Sequence, residues 1–340
     1  MAVRTPLLAV LLGLGVLAAG LELAGYDALA ALAALWQGAA GSWYAFTSAT
    51  LVRAVPLIVI GLRIALACRA GALNIGAEGQ FYAGAIAATW VGLHVAGRPP
   101  LVAVASVFLA AMLAGAAWVA VPVWLKLRFG VLEVISTLLL NFVAESLVSL
   151  MVQGPLQESQ HIYPQSDPIA EAARLPVLPG TRLHAGLAIA LGAAVALWYV
   201  FARTLWGFRL RAVGAGPRAA EISGRIDARR MAAVALLGSG ALAGLAGGIE
   251  IAGVSYALFQ NLSPGYGFTG IAVALLARLH PLGVVVTGLL FAALEAGAGA
   301  MQRDAGVPAV AVYVVEAVVI LVVLLADAAA RRTVRARVAV

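Results

Sequence analysis

Charge is what this 340-residue sequence has least of: 11% of its residues are charged, 15 acidic against 22 basic. A soluble domain carries roughly 25%, so a surface facing water on all sides is excluded. Cysteine is scarcer still. Cys68 is the single thiol, which excludes an internal disulfide and leaves the redox compartment unspecified. The four histidines, His94, His161, His184 and His280, are scattered, and no H-E-x-x-H or Cys/His spacing offers a metal site. No G-x-x-x-x-G-K-[ST] segment is present, so the chain has no phosphate-cradling loop and no ATP site of its own. No nucleophile sits beside a base, and no catalytic residue is assigned.

What fills the space is apolar. Hydrophobic residues make up 63% of the chain, the mean hydropathy is +1.01 and there are 37 glycines. Lipid must cover most of such a surface, and glycine is commoner in transmembrane helices than in soluble ones. A crossing needs about 20 residues, so this length gives one all-α, polytopic helical bundle, a single transmembrane domain over residues 1–340. Apolar runs fall at about 6–25, 51–68, 79–97, 101–124, 131–152, 183–201, 231–252, 266–279, 281–301 and 307–327, about ten crossings. Arg4 and the apolar residues behind it could form a signal peptide; the preferred reading is an uncleaved first membrane helix over 6–25. The run 266–279 is short and follows Gly and Pro, as a half-helix would. Run 2 ends in the glycine-rich ALNIGAEGQ and run 7 in the glycine-rich NLSPGYGFTG, so runs 2–5 and 7–10 are compatible with an inverted repeat.

The net charge of +7 does not point to nucleic acid, because the basic residues lie between apolar runs and not in a stripe with interleaved aromatics. They orient the chain instead. With a cytoplasmic N-terminus, sixteen basic residues fall inside, among them Lys126, Arg209, Arg230 and Arg331, and five fall outside. The positive-inside rule then puts both termini in the cytoplasm. Residues 153–182, with five prolines, become a periplasmic loop with room for a short surface helix, and residues 202–230 become the largest and most basic cytoplasmic loop.

Four motifs interrupt the apolar background. Residues 71–80, GALNIGAEGQ, put Asn74, Glu78 and Gln80 at membrane depth, where freed backbone must be paired by protein or line a water-filled cavity. Glu78 either caps the following run, pairs with Arg63 or Arg69, or lies on a transport path. Glu133, Thr137, Asn141, Glu145 and Ser149 recur every four residues, a polar stripe that slowly drifts around one helix. It serves either as interhelical glue or as a pathway lining. Gly240, Gly244 and Gly248 form a small-residue face for close helix packing. In residues 216–224, GPRAAEISG, Pro217 suits a first helical turn, Ala219, Ala220 and Glu221 continue it, and Gly224 ends it.

Together, ACRAGALNIGAEGQFYAGAIAA, KLRFGVLEVISTLLLNFVA and WGFRLRAVGAGPRAAEISG followed by GALAGLAGG resemble the permease subunits of bacterial ABC importers, in the nucleoside and simple-sugar branch. Ribose-type and branched-chain amino-acid permeases are more distantly similar. The resemblance covers about residues 50–325. It implies an inner-membrane permease forming half of a translocation pathway for a nucleoside or simple-sugar-like solute. It also implies a cytoplasmic ABC ATPase that binds the ATP, a second permease subunit in a heterodimer, and a periplasmic or lipoprotein substrate-binding protein. By the same resemblance, Asn74, Glu78, Gln80, Glu133, Thr137 and Asn141 lie near the substrate pathway, and Pro217, Ala219, Ala220, Glu221 and Gly224 belong to the ATPase-coupling segment. One departure is clear: relatives carry Asn before the glutamate of the second motif, where this chain has Leu132. The alternative is a secondary transporter driven by an ion gradient, using Glu78, Glu133 and Glu145.

The charge asymmetry makes the topology testable. Cysteines introduced at Gln157 and at Ala215 should react with impermeant thiol reagents from opposite sides of the membrane; labelling of both from one side would overturn this map.

Overall fold

A computed structural model describes residues 4–224, 226–315, 317–318, 320–322 and 325. Arg225 and the basic residues Arg331, Arg332, Arg335 and Arg337 lie outside the described residues, as does part of the run 307–327. Among the described residues the chain is helical, with two isolated β-bridges and no strand. This is what hydrocarbon demands, because a helix pairs its backbone groups within itself. In order, the helices are α1 Arg4–Leu23, α2 Ala28–Ala40, α3 Trp43–Ala45, α4 Val52–Arg69, α5 Ala77–His94, α6 Pro100–Phe129 and α7 Glu133–Val152. Then come α8 Gly186–Arg203, α9 Leu205–Ala215, α10 Pro217–Gly224, α11 Ala228–Glu250, α12 Tyr266–Leu276 and α13 Pro281–Ala305. π-turns at Phe46–Leu51 and Ile251–Ser255 join α3 to α4 and extend α11. Six helices are long and apolar enough to cross a membrane: Trp43–Arg69, Pro100–Phe129, Glu133–Val152, Gly186–Arg203, Ala228–Ser255 and Pro281–Ala305. The protein is a polytopic helical membrane bundle.

Local chemistry sets the helix ends. Asp27 accepts from Ala30 N at 2.9 Å to start α2, and Asp227 accepts from Arg230 N at 2.9 Å to start α11. Thr204 Oγ1 caps α9 by accepting from Gly207 N at 3.1 Å. Each side-chain oxygen satisfies one of the orphan N–H groups of a first turn. Gly130, at φ +70°, ends α6 in the left-handed conformation that glycine adopts without penalty.

The chain divides into two compact units, residues 1–53 with 289–340, and residues 54–288. In the first, Thr50 Oγ1 donates to the Ala39 carbonyl at 2.6 Å, and the backbone of Leu35 on α2 lies against Gly297 of α13. Helix α2 falls in the gap between the first two apolar runs of the sequence. Its 13 residues are too few to span, so hydropathy did not single it out.

The second unit is organised by α5, α6 and α11. Here the glycine face of α11 lies directly on backbone. A Cβ on Gly240 would stand 2.5 Å from the Gly115 carbonyl oxygen, and one on Gly248 would stand 2.8 Å from Ala111 Cβ. At Gly244 the added carbon would collide with the Ala111 carbonyl. Lipid gives no hydrophobic drive for helices to associate, so close van der Waals approach of this kind must do it. Residues 153–185 fold over the ends of α5 and α11: Ala170 N donates to the Gly92 carbonyl at 3.0 Å and Leu175 N to the Ala252 carbonyl at 2.8 Å. The surface helix expected here is a single 3₁₀ turn, Glu171–Ala173, in a loop whose five prolines interrupt helix at short intervals. Ser159 donates to Asp167 and holds its carboxyl below the usual carboxylate range.

Gly244→Ala should lower stability by about 1–3 kcal/mol through overpacking. Gly192→Ala on α8, with no atom within 4 Å of the added carbon, should be neutral or slightly stabilising. Thermal unfolding of the two variants in detergent measures both; equal midpoints would contradict this packing.

Candidate functional site

Helices α4 and α5 are separated by a non-helical strap, residues 71–76, beginning at Gly71 with φ +72°. Its polar atoms are paired by four helices. Arg63 of α4, fully buried, donates Nη1 to Gln80 Oε1 at 2.9 Å and Nη2 to the Asn74 carbonyl at 2.6 Å. Asn74 and Gln80 form a reciprocal amide pair, Nδ2 to Oε1 at 3.1 Å and Nε2 to Oδ1 at 3.0 Å. Asn74 Nδ2 also donates to Ser239 Oγ of α11 at 3.2 Å. From α7, Thr137 Oγ1 accepts from Ile75 N at 3.3 Å. Asn141 Oδ1 accepts from Gly79 N at 2.8 Å, and its Nδ2 donates to the Ile75 carbonyl at 3.2 Å. The side chains here replace the water that hydrocarbon withholds.

A second break, residues 256–265, separates α11 with its π-turn from the half-length α12. Tyr256, Asn261 and Gly265 all take positive φ. Its outer part pairs with the 153–185 loop, Ser166 N donating to the Leu258 carbonyl at 2.8 Å. Its inner part meets α5. Ser263 Oγ caps α12 by accepting from Gly265 N at 3.1 Å and Tyr266 N at 3.0 Å, and it donates to Glu78 Oε1 at 3.1 Å. Gly267 N donates to the same Glu78 oxygen at 2.9 Å. The carboxylate of Glu78, in the first turn of α5, thus also caps α12. Both helix N-termini carry positive dipole ends, which a carboxylate neutralises. Its bonds go neither to its own helix nor to Arg63 or Arg69, but to Ser263 and to the first turn of α12.

Asn74, Glu78, Gln80, Thr137 and Asn141 therefore belong to one buried network around the two breaks. Glu133 stands apart, at the α6–α7 turn, where Lys126 Nζ donates to its Oε1 at 2.6 Å. Leu132 occupies the N-cap position of α7 with no side-chain bond and is 64% exposed. Asparagine there would cap α7.

Farther along α7 the stripe behaves differently. Glu145 is exposed, and with Tyr82, Ser146, Val148, Ser149, Gln260 and Asn261 it lines a pocket of about 220 Å³. Ser239, Ser263, Tyr82, Gln260 and Asn261 carry no pattern that marks them in sequence. Arg63 does, as a charge inside the apolar run 51–68.

In the segment after α8, Ala220 of α10 is 4% exposed and packs with Val213 and Ala228. Pro217, Arg218, Ala219, Glu221 and Ile222 face outward, Ile222 being 88% exposed. The backbone of α10 ends at Gly224, as the sequence indicates.

Residues 46–324 match the family model described as branched-chain amino acid transport system / permease component. The chain is 40% identical to the glucose ABC transporter permease protein TsgB13 of Haloferax volcanii, over 94% of this chain and 87% of that protein. It is 37% identical to the guanosine ABC transporter permease protein NupP of Bacillus subtilis, over 94% and 92%. A second guanosine ABC transporter permease protein of that organism, NupQ, is 27% identical over 72% and 78%. No solved structure matches.

Asn141→Leu would leave the Gly79 N–H and the Ile75 carbonyl without their side-chain partner, at about 1–3 kcal/mol for each orphaned group. The purified variant should therefore melt well below wild type, and Thr137→Val, which orphans one N–H, by a smaller margin. An unchanged midpoint for Asn141→Leu would remove this residue from the network.

Proposed function

Because this chain belongs to the branched-chain amino acid transport system / permease component family and is a permease subunit of an ABC importer, we propose that it forms one half of a translocation pathway for a nucleoside or simple-sugar-like solute. The single observation carrying the reading is the match over residues 46–324, supported by relatives along 94% of the chain named as guanosine and glucose permeases. The other half of the pathway comes from a second, related permease subunit, a reading supported by the two guanosine permease proteins of one organism. A periplasmic or lipoprotein binding protein delivers the solute. The membrane is the bacterial inner membrane, with both termini cytoplasmic.

ATP is bound and hydrolysed in a separate cytoplasmic subunit, and this chain holds no cofactor. Of the three carboxylates an ion-gradient mechanism would use, Glu78 bonds to Ser263 and Gly267 and Glu133 pairs with Lys126, which leaves that alternative with Glu145 alone. Coupling to the ATPase runs through α10. Its inner residue Ala220 anchors it to Val213 and Ala228, and its outer face offers Ile222 between Arg218 and Glu221. An exposed isoleucine on a short charged helix suits a small apolar socket with flanking ionic contacts.

Ile222→Asp tests this without disturbing the fold, because the side chain lies outside the chain's own packing. Ala220→Asp would instead break the anchor of α10. Burying an unpaired charge costs several kcal/mol, and about 1.4 kcal/mol is a factor of ten in affinity. Ile222→Asp should insert normally, fail to co-purify with the ATPase and lose ATP-dependent uptake. Intact complexes with full uptake would refute the coupling role of α10.

A further inference from the structure

We infer that the pocket between α5, α7 and the 256–265 break is the solute contact of this half-pathway, and that Glu145 is the group that reads the solute. This rests on the permease reading above and adds the residues and the chemistry of recognition. The polar side chains in this part of the fold divide into two sets. Those of Asn74, Glu78, Gln80, Thr137 and Asn141 are engaged in bonds that hold the two breaks. Those of Glu145, Gln260 and Asn261 form no hydrogen bond among the described residues, and all three line the same pocket.

Glu145 is the thirteenth residue of α7, so at 1.5 Å per residue it lies about 18 Å along the helix from Glu133. That depth is inside the hydrocarbon layer for a spanning helix. An exposed carboxylate there cannot face lipid and marks a water-filled path or a partner surface. The residues around it select the path. Tyr82 accepts from Ser263 N at 3.3 Å and keeps its own O–H to donate. Ser146 and Ser149 contribute hydroxyls, and Gln260 and Asn261 contribute amides that both donate and accept. The pocket's 220 Å³ is smaller than the roughly 300–1,000 Å³ of complete small-molecule sites. It has the size of one wall, the opposite wall belonging to the second permease.

The chemistry follows from the carboxylate. Its two oxygens accept only, and bonds to an ionised acceptor are about twice as strong as neutral ones. The preferred solute presents two adjacent donors and carries no negative charge, so its phosphorylated form is repelled. Two solute types offer such a pair: a guanine-type base through its ring N–H and 2-amino group, and a sugar through neighbouring hydroxyls.

The experiment uses the complete importer, with both permeases, the ATPase and the binding protein, in proteoliposomes. Uptake of guanosine, adenosine, glucose, 2-deoxyglucose and guanosine monophosphate is measured for wild type and Glu145→Gln. Wild type should exclude the phosphorylated solute and prefer guanosine over adenosine, or glucose over 2-deoxyglucose, which decides between base and sugar. In Glu145→Gln the preferred solute should lose about tenfold or more in uptake, and the preference over its donor-poor analogue should shrink. Unchanged uptake and preference in the variant overturns the inference. So does loss of the second permease from the purified complex, which would make Glu145 a subunit contact. A wild-type complex that hydrolyses ATP yet takes up neither guanosine nor glucose overturns the solute class. Failure of this chain to co-purify with the ATPase, or a wild-type complex that hydrolyses no ATP, would instead sink the permease reading itself.

Discussion

Two stretches of this chain, 71–76 and 256–265, leave the helix while much of their backbone stays buried among neighbouring helices, and the fold around them is organised by how those N–H and C=O groups are satisfied. An unpaired backbone group in hydrocarbon costs several kcal/mol, far more than any one surface contact returns. The solution has Glu78 at its centre. Its carboxylate stands in the first turn of α5 and accepts from Gly267 N in the first turn of α12, so one negative charge answers two helix N-termini. Asn74, Gln80 and Arg63 close the first break from within, and Thr137 and Asn141 close it from α7.

That requirement explains the glycine-rich packing nearby. For α7 and α11 both to reach the strap, the helices around α5 must approach backbone to backbone. Gly240 and Gly244 let α11 do so against α6, Gly248 makes room beside them for the Ala111 side chain, and Gly84 brings α5 onto the backbone of α11. A bulkier residue at these positions would move Ser239 away from Asn74, to which it is bonded at 3.2 Å. Packing and polar satisfaction therefore depend on each other.

Much of this was legible in the sequence, and what was not has definite physical causes. A run of Gly, Asn, Glu and Gln between apolar segments announces a break, because nothing else places those residues at membrane depth. The partners of the break were not legible: Ser239 and Ser263 are serines among many, and their roles depend on which helix lies beside which. The four-residue period of Glu133, Thr137, Asn141, Glu145 and Ser149 correctly placed them near one face, yet the drift of that face separates their fates. Glu133 meets Lys126, Thr137 and Asn141 meet the strap, and Glu145 and Ser149 turn to the pocket. Helix α2 was missed because 13 residues of alanine and leucine are too short to register as a crossing. Ala220 looked like an outward contact until the packing of Val213 and Ala228 against it was visible.

The same geometry joins the two ends of the unit formed by residues 54–288. Gly214 of α9 lies with its Cα 3.4 Å from where a Gly71 Cβ would be, and its own Cβ would collide with the Arg69 carbonyl. Helix α9 thus rests on the start of the strap without an intervening side chain. Beyond α9 the chain turns at once into α10, the segment proposed above to meet the ATPase. At the other end the strap is bonded to Asn141, one helical turn before Glu145. Side chains packed against one another can absorb a small displacement by changing rotamer, but two glycine backbones in contact cannot. A shift of α9 must therefore move the strap, and a shift of the strap must either break the bonds of Ile75 to Thr137 and Asn141 or carry α7 with it. The residues of the buried network thus set the position of the wall that carries Glu145, Gln260 and Asn261.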